Sequence, residues 1–540
     1  MANNFQEFSD RAFNTFLEQN PVHASSIGLH EYDGKLPTYT MAELDAGRKI
    51  FGDLLNELIT YKKEDLSQDS SNNAQIEYDF IKWIIESYIF EYDELKSHTT
   101  NPIYYSSALG NIGQYISREY APFEERIESV INLLQGVPTV YENAQKNLVS
   151  KCATLHCKYA KLFTEGYVQF FRDDLPSELA KREVSQELTD KYIEASKPAI
   201  QAIESYIKFI DEKLMPIADD SYRLGTDKFQ KMLSIKEHID LPIEKIRKLG
   251  EMELHRLLSE YNELVNVKHP GLDPYVLEED HPSASTLVEE TKGTLNDLIE
   301  FIKEKDIIEF PEKMNCIVTE MPKYMGFGFA AMDTAGPFEK SDESYYYVNL
   351  PEKEWDEKKT DEWMTLFNFP TLKMISIHEA FPGHYTHFLY SNKYANRFAK
   401  ISMSYTYVEG WAHYTEEMMA DMGYDSFDPK MRLAQLIEAL IRCCRYMVAA
   451  GLHTEKMNIE DAVKFFMKNA FMPETTARQE AERGAFDPGY LSYTLGKIYL
   501  KKLKQMFFEK HQDKELKEFH KRIVSMGCPT YRMAEKYILE

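Results

Sequence analysis

The chain has 540 residues, of which 43% are hydrophobic and 13% aromatic, a composition typical of a globular protein and not of a disordered or collagen-like one. With 63 Lys+Arg against 88 Asp+Glu its formal net charge is −25, which argues against nucleic acid as a main partner because phosphate binding needs a basic surface. No cationic start is followed by an apolar block, and no segment approaches the ~18 uninterrupted apolar residues of a membrane span. We therefore predict a cytoplasmic protein with neither a membrane nor a nucleic-acid partner.

Helical periodicity dominates the chain, and strand signal is scarce. In 123–148 apolar residues recur at helical spacing, and the Gly-Val-Pro sequence ending at Pro138 predicts a break into two helices. The same periodicity predicts helices in 190–214, 242–265, 286–305, 430–450, 459–470 and 494–510. The clearest strand signal is Tyr345–Leu350, which is aromatic and β-branched. The six cysteines form no CxxC pair, which predicts buried, reduced thiols.

We predict a mainly α fold with a small β element. The expected organisation is a helical N-terminal part over residues 1–320 and a metal-binding part over residues 321–540, with one continuous domain as the alternative.

The first candidate site is the sequence HEAFPGHYTH, which begins at His378. In the HExxH pattern of metalloproteases two histidines four residues apart bind zinc, and the glutamate after the first acts as general base. Here the second histidine is His384, and six residues of regular helix turn about 240°, so the two imidazoles would point apart. The Pro382–Gly383 pair predicts a bulge that returns both imidazoles to one side. The alternative is a helix start whose histidines are ordinary core residues.

The second candidate site is VEGWAHYTEE, where Glu409, His413 and Glu416 share one helix face. An acid that faces inward beside Trp411 is costly unless a cation satisfies it. Glu409 follows His384 by 25 residues, enough for a second helix to return a third ligand. The alternative is a partly solvated helix carrying ordinary acids.

The third candidate site is RGAFDPGYLSYTLGK, where Arg483, Tyr490 and Tyr493 lie on both sides of a Pro-Gly turn. Phenols near a metal can donate to a developing oxyanion, which peptide hydrolysis requires. The alternative is a pair of core tyrosines. His453, in the intervening GLH sequence, has no decisive spacing.

Together, HEAFPGH, VEGWAHYTE and RGAFDPGYLSYTLGK resemble the family of domain of unknown function 885, a set of zincin-like bacterial proteins. The resemblance extends along nearly the whole chain, including ERIESVINLLQGVPTVYENAQKNL and IRCCRYMVAAGLH. This family is similar to the all-helical gluzincins such as thimet oligopeptidase. The resemblance implies a large, two-lobed, zincin-like helical fold with a deep channel that admits only short peptides.

The resemblance also implies roles for individual residues. His378, His384 and Glu409 match the metal ligands, and Glu379 matches the base that activates water. The pair Tyr490 and Tyr493 matches the tyrosines aimed at the tetrahedral intermediate, with His453 as a further candidate for that role. The strand Tyr345–Leu350 matches the edge strand that pairs with extended substrate, so Tyr346 and Val348, together with Arg483, are predicted to contact the substrate. Where the family pattern reads HExxPGHHxQ, this chain has Tyr385 and His387, which makes His387 a possible rival or assisting ligand.

The leading hypothesis is a zinc peptidase that hydrolyses short peptides with Zn²⁺ as cofactor. One alternative is a zinc-dependent hydrolase of a small amide metabolite. The other is a catalytically degenerate protein that binds peptides or a partner protein. The sequence leaves the oligomeric state and the substrate preference open.

Overall fold

A computed structural model describes residues 5–66, 73–182, 184–311, 313–322 and 328–539. The chain forms two compact units. The first consists of Met1–Tyr222 with Ala335–Asp342. The second contains Arg223–Pro322, the described residues 328–334, and Glu343–Glu540. The predicted boundary between residues 320 and 321 does not coincide with this division.

The first unit is helical, and its helices from Ile103 onward pack around a large apolar core. Its described α-helices are α1 Phe5–Gln19, α2 Pro21–Ser26, α3 Met41–Leu58, α4 Lys63–Leu66, α5 Asn73–Phe90, α6 Ser97–Thr100, α7 Ile103–Ser106, α8 Gln114–Ser117, α9 Phe123–Asn147, α10 Thr154–Gln169, α11 Leu175–Lys181 and α12 Gln186–Phe209. The two long helices α9 and α12 pack side by side. Leu134 and Tyr141 of α9 and Ile203 and Tyr206 of α12 are buried in this core.

The predicted break at Pro138 is wrong, because α9 continues through it. Proline removes one helical hydrogen bond and disfavours the helix interior. Here Val137 and Val140 are completely buried on either side of it. Burying a valine side chain stabilises by about 1.5–3 kcal/mol, so the packing of the two valines offsets the cost of the proline.

The second unit contains the remaining helices and the strands. They are α13 Thr226–Lys236, α14 Ile243–Glu263, α15 Leu287–Glu304, β1 Cys316–Glu320, β2 Ala330–Asp333, β3 Ser344–Val348, α16 Glu357–Met364, α17 Phe369–Glu379, α18 His384–Tyr394, α19 Arg397–Ile401, α20 Tyr405–Asp421, α21 Pro429–Thr454, α22 Ile459–Ala470, α23 Glu474–Phe486, α24 Ser492–Lys510, α25 Leu516–Ser525 and α26 Tyr531–Ile538. The prediction of a mainly helical protein with a small β element is confirmed.

The second unit begins well before residue 321 because its early helices pack on the helices that carry the candidate site. Helix α14 packs on α21, and α15 packs on α17. Leu287 of α15 and Leu372 of α17 belong to one buried cluster with Val348 of β3. Helices α14 and α15 therefore pack directly against the helices of the candidate site.

The three strands form one sheet in the order β1-β3-β2. Strand β3 pairs in parallel with β1 and antiparallel with β2, with Tyr346 opposite both Val318 and Met332. The predicted strand exists, but the prediction that it is the edge strand is wrong. Its backbone is hydrogen-bonded on both sides, so the edges of the described sheet are β1 and β2.

Two further sequence predictions concern helices and cysteines. Among the described residues, no helix combines the length and apolar character needed to cross a membrane. All six cysteines lie in the described part of the chain without a disulfide, and all except the half-buried Cys316 are buried.

Candidate metal centre

Helices α17 and α18 present one histidine on each side of a short break. His378 lies in the last turn of α17, and His384 is the first residue of α18. At Gly383, between them, a Cβ atom would lie 1.9 Å from the backbone oxygen of His378, so only glycine fits this turn. The structure therefore replaces the predicted bulge within one helix by two helices, and it still brings the two imidazole rings to 4.7 Å between centroids.

The break is held in place by Trp411 of α20. Its indole Nε1 donates to the backbone oxygens of Pro382 at 2.9 Å and Gly383 at 3.2 Å. Because Trp411 follows Glu409 by two residues, the contact that fixes the turn also fixes the segment of α20 that carries the third candidate ligand. Helix α20 itself begins at a Ser404 cap, which accepts a hydrogen bond from the backbone N–H of Tyr407.

Glu409 completes a compact cluster with the two histidines. Its Oε2 lies 3.4 Å from Nε2 of His378 and 3.5 Å from Nε2 of His384. One nitrogen or oxygen atom from each of the three residues can be chosen so that all lie within 4.8 Å of one another. The structure thus brings together the three residues predicted as metal ligands.

The charges in this cluster favour a cation. Burial would lower the pKa of His378, but the Glu409 and Glu416 carboxylates outweigh burial and raise this pKa to about 9. Burial would likewise raise the pKa of Glu409, but His378 and His384 hold it well below its usual range. Within the described residues, Oε2 of Glu409 is buried without a hydrogen-bond partner. Two imidazoles and one carboxylate form a donor set that suits Zn²⁺ and leaves a position for water, so these residues fit the predicted ion.

Behind the cluster, Glu416 orients His378. The Nδ1 of His378 donates to Oε1 of Glu416 at 2.6 Å, so its Nε2 faces the other candidate ligands. Glu416 is completely buried, and the Arg442 guanidinium lies 3.1 Å from the same oxygen. Burial would raise the pKa of Glu416, but Arg442 and His413 hold it well below its usual range. A carboxylate behind a histidine fixes the ring orientation and increases its basicity as a ligand.

Glu379, the predicted base, lies at the end of α17 and contacts the sheet. Its Oε2 accepts a hydrogen bond from the backbone N–H of Met332 at 3.2 Å. Met332 belongs to β2, so the carboxylate lies beside one of the two edge strands. The strand that contacts Glu379 is therefore the edge strand β2, and not the strand that the sequence suggested.

The two tyrosines of the third motif lie in different surroundings. The ring of Tyr493 lies 6.2 Å from that of His378, and burial together with the nearby Glu409 charge raises the pKa of Tyr493 to about 12. Tyr490 is fully buried and donates its hydroxyl to Glu480 at 2.5 Å. Tyr493 is therefore the tyrosine of this pair that contacts the candidate centre, whereas the hydroxyl of Tyr490 is engaged in an ion-pair network.

His453 and His387, two other histidines considered from the sequence, have buried structural contacts. The Nε2 of His453 is 3.0 Å from the backbone oxygen of Gly484, and its ring stacks on Phe229. The Nε2 of His387 is 2.8 Å from the backbone oxygen of Gly527, and burial lowers the pKa of His387 to about 4. Among the described residues the candidate ligand cluster does not include His387, and its role as a rival or assisting ligand stays a prediction that zinc analysis can test.

Tyr346 and Val348, predicted to contact substrate, are core residues. Both are completely buried in the central strand. The hydroxyl of Tyr346 is 3.2 Å from the hydroxyl of Ser376 in α17, and Val348 packs in the cluster with Leu372. They join the sheet to α17, so their contribution is to position the histidine helix. Arg483, the third residue predicted to contact substrate, has a half-exposed side chain.

Three residues of the site, Glu416, Arg442 and Met332, have roles that were not predicted from the sequence. Glu416 was detectable in part, since it lies seven residues after Glu409 on the same helix face. Arg442 lies 26 residues further on and carries no local signal. Met332 contacts Glu379 through its backbone N–H, and the identity of a side chain does not reveal such a contact.

Comparisons with known proteins agree with this fold. The family model "Bacterial protein of unknown function (DUF885)" matches residues 21–538, and the chain therefore belongs to this family. No curated protein matches the chain.

Two solved structures share the fold. A candidate lipoprotein of unknown function from Shewanella oneidensis is 23% identical, with a TM-score of 0.82 over 99% of this chain and 100% of its own. A candidate lipoprotein from Colwellia psychrerythraea is 17% identical, with a TM-score of 0.82 over 100% of this chain and 99% of its own. At these identities the likeness concerns the fold alone.

Proposed function

We propose that the chain is a zinc-dependent peptidase that hydrolyses short peptides. The observation that carries the proposal is the cluster of the buried His378 and His384 with the partly buried Glu409, whose Oε2 is buried and has no hydrogen-bond partner among the described residues. A buried carboxylate oxygen between two imidazoles is costly unless a cation satisfies it. The position of Glu379 directly after the first histidine supports a hydrolytic function over a purely structural metal site.

A bound zinc ion would supply Lewis acidity, which activates a water molecule and polarises the scissile carbonyl. Glu379 takes a proton from the attacking water and delivers it to the leaving amine. The hydroxyl of Tyr493 donates to the oxygen that becomes negative in the transition state. Glu416 and Arg442 hold His378 in the orientation that the reaction requires.

The substrate class rests on the resemblance to gluzincins such as thimet oligopeptidase. The two-lobed zincin-like arrangement with a deep channel, which would restrict substrates to short peptides, stays a prediction from that resemblance, as does the cytoplasmic location. The edge of β2, beside Glu379, replaces β3 as the strand proposed to pair with extended peptide backbone.

The test is digestion of a random peptide library by the zinc-loaded chain and its Glu379→Gln variant. We expect the variant to bind zinc like the wild type and to lose about 10²–10⁴-fold in turnover, the contribution typical of a general base. Glu362→Gln, which alters an exposed acid of α16, is the matched control and should cleave normally.

Each alternative function has its own outcome in this test. Bound zinc without cleavage of any peptide would support hydrolysis of a small amide metabolite. Peptides retained intact by wild type and variant alike would support a binding protein. Equal cleavage by the Glu379→Gln variant would contradict the proposed mechanism.

A further inference from the structure

Three arginines surround Tyr490 and Tyr493, and two of them form close ion pairs with carboxylates. Arg442 contacts Glu416 at 3.1 Å and Glu438 at 2.5 Å. Arg445 forms a two-pronged contact with Glu480, at 2.7 and 2.8 Å. Both guanidinium groups are therefore engaged in ion pairs within the protein.

Arg483, the third arginine, is held differently. Its guanidinium stacks over the ring of Tyr490 at 4.5 Å, and its side chain is 46% exposed. The nearest described carboxylate is that of Asp487, whose Oδ2 lies 3.7 Å from Nε of Arg483, beyond hydrogen-bond distance. The other oxygen of Asp487, Oδ1, accepts a hydrogen bond from the backbone N–H of Gly489. Among the described residues the Arg483 guanidinium packs on one aromatic ring and forms no hydrogen bond to a carboxylate.

A short path of contacts joins Arg483 to the candidate metal centre. Tyr490 lies 6.2 Å from Tyr493, and Tyr493 lies 6.2 Å from His378, measured between ring centroids. An extended peptide advances about 3.3 Å per residue, so a peptide of a few residues can reach from the centre to Arg483.

Arginine is suited to binding a carboxylate because its planar donors match the two oxygens. We propose that Arg483 binds a carboxylate of the peptide substrate, supplied by either the free C-terminus or an acidic side chain. This inference rests on the proposed function and adds the chemical group that the enzyme recognises. It makes Arg483 a specificity-determining residue, distinct from Arg442 and Arg445, which are paired with carboxylates.

The experiment measures binding, so that it does not depend on turnover. The full-length Glu379→Gln chain is mixed with a random tetrapeptide library carrying free carboxyl termini or with the same library amidated at its C-termini. The retained peptides are quantified by mass spectrometry after ultrafiltration. We expect free acids to be retained at least about tenfold better than amides, as for a charge-assisted hydrogen bond, or the retained amides to be enriched in Asp and Glu.

Adding Arg483→Gln should erase this preference, and Arg483→Lys should keep part of it because the charge remains. The matched control is Arg478→Gln on the same helix, since Arg478 pairs with Glu460 and Glu474 at the surface. Retention that ignores carboxylates, an absence of retention, or a preference unchanged in Arg483→Gln would overturn the inference. Failure of the proposed function would show separately, as intact libraries after incubation with the zinc-loaded wild type.

Discussion

Gly410 of α20 and Gly496 of α24 lie directly against each other. A Cβ atom at Gly496 would come within 1.9 Å of the backbone oxygen of Thr406 and 2.6 Å of the Cα of Gly410. This contact brings the two helices together one residue after Glu409 and three residues after Tyr493. The distance between the third candidate ligand and the candidate oxyanion donor is therefore set by two glycines.

We predict that Gly496→Ala destabilises the protein by about 2–4 kcal/mol, because backbone atoms of α20 cannot yield to the added methyl group. Gly293→Ala is the control, since this exposed glycine of α15 has nothing within 4 Å of the added Cβ. That control should be neutral or stabilising by up to about 1 kcal/mol. Denaturant unfolding measures both variants, and equal behaviour of the two would refute the importance of the glycine contact.

Local spacing marked the motifs that contain the three candidate ligands, and the family resemblance assigned those residues as metal ligands. The sequence could not predict how His378 and His384 converge, since the choice between a bulge and two helices depends on the Trp411 contact from a distant helix. It misplaced the edge strand because β2, with the sequence Ala-Ala-Met-Asp, has no alternating pattern. Burial by neighbours, and not local propensity, also decided the course of the helix through Pro138.

Glu416→Gln is predicted to weaken zinc binding by about 10–100-fold, because the amide is a poorer acceptor for His378 and leaves Arg442 less well neutralised. The control is Glu438→Gln, which alters the other acid that contacts Arg442 and leaves the contact between His378 and Glu416 in place. Competition with a chromogenic chelator gives both affinities. Similar affinities for the two variants would contradict the orienting role of Glu416.

Substitution of Tyr493 and substitution of Tyr490 are predicted to have different effects on catalysis. Tyr493→Phe should lower kcat by about 10²–10³-fold with little change in KM, as expected for loss of an oxyanion donor. Tyr490→Phe removes the hydrogen bond to Glu480 and should cost about 1–2 kcal/mol of stability with a smaller effect on kcat. Steady-state kinetics with one cleaved peptide measures kcat and KM for both variants. A larger loss of kcat in Tyr490→Phe than in Tyr493→Phe would contradict the assignment of Tyr493 as the oxyanion donor.

In the first unit, His30 makes stability depend on pH. Burial would lower the pKa of His30, but contacts with Asp33 and Glu339 outweigh burial and raise this pKa to about 9, above the usual 6.5. Its stabilising contribution, on the order of 1–3 kcal/mol, is complete below pH about 6.5 and disappears as the pH rises through about 9. Replacing His30 with Asn should therefore lower the unfolding midpoint most at pH 6 and least at pH 10.

Thermal unfolding at several pH values checks this dependence, with Asn in place of the exposed His255 of α14 as the control. The His255→Asn midpoint should follow the wild type at every pH. A His30→Asn difference that grows with pH would contradict the interpretation, because it would require His30 to be neutral in the folded protein.

The central claim is that His378, His384 and Glu409 bind zinc, and elemental analysis of the chain purified without a His tag or chelator tests it most directly. We expect about one zinc per chain in the wild type. The His387→Gln variant should also retain zinc, whereas His378→Ala, His384→Ala and Glu409→Ala should lose it. A wild-type chain that takes up no zinc even after incubation with an excess, or zinc retained in all three alanine variants, would contradict the claim.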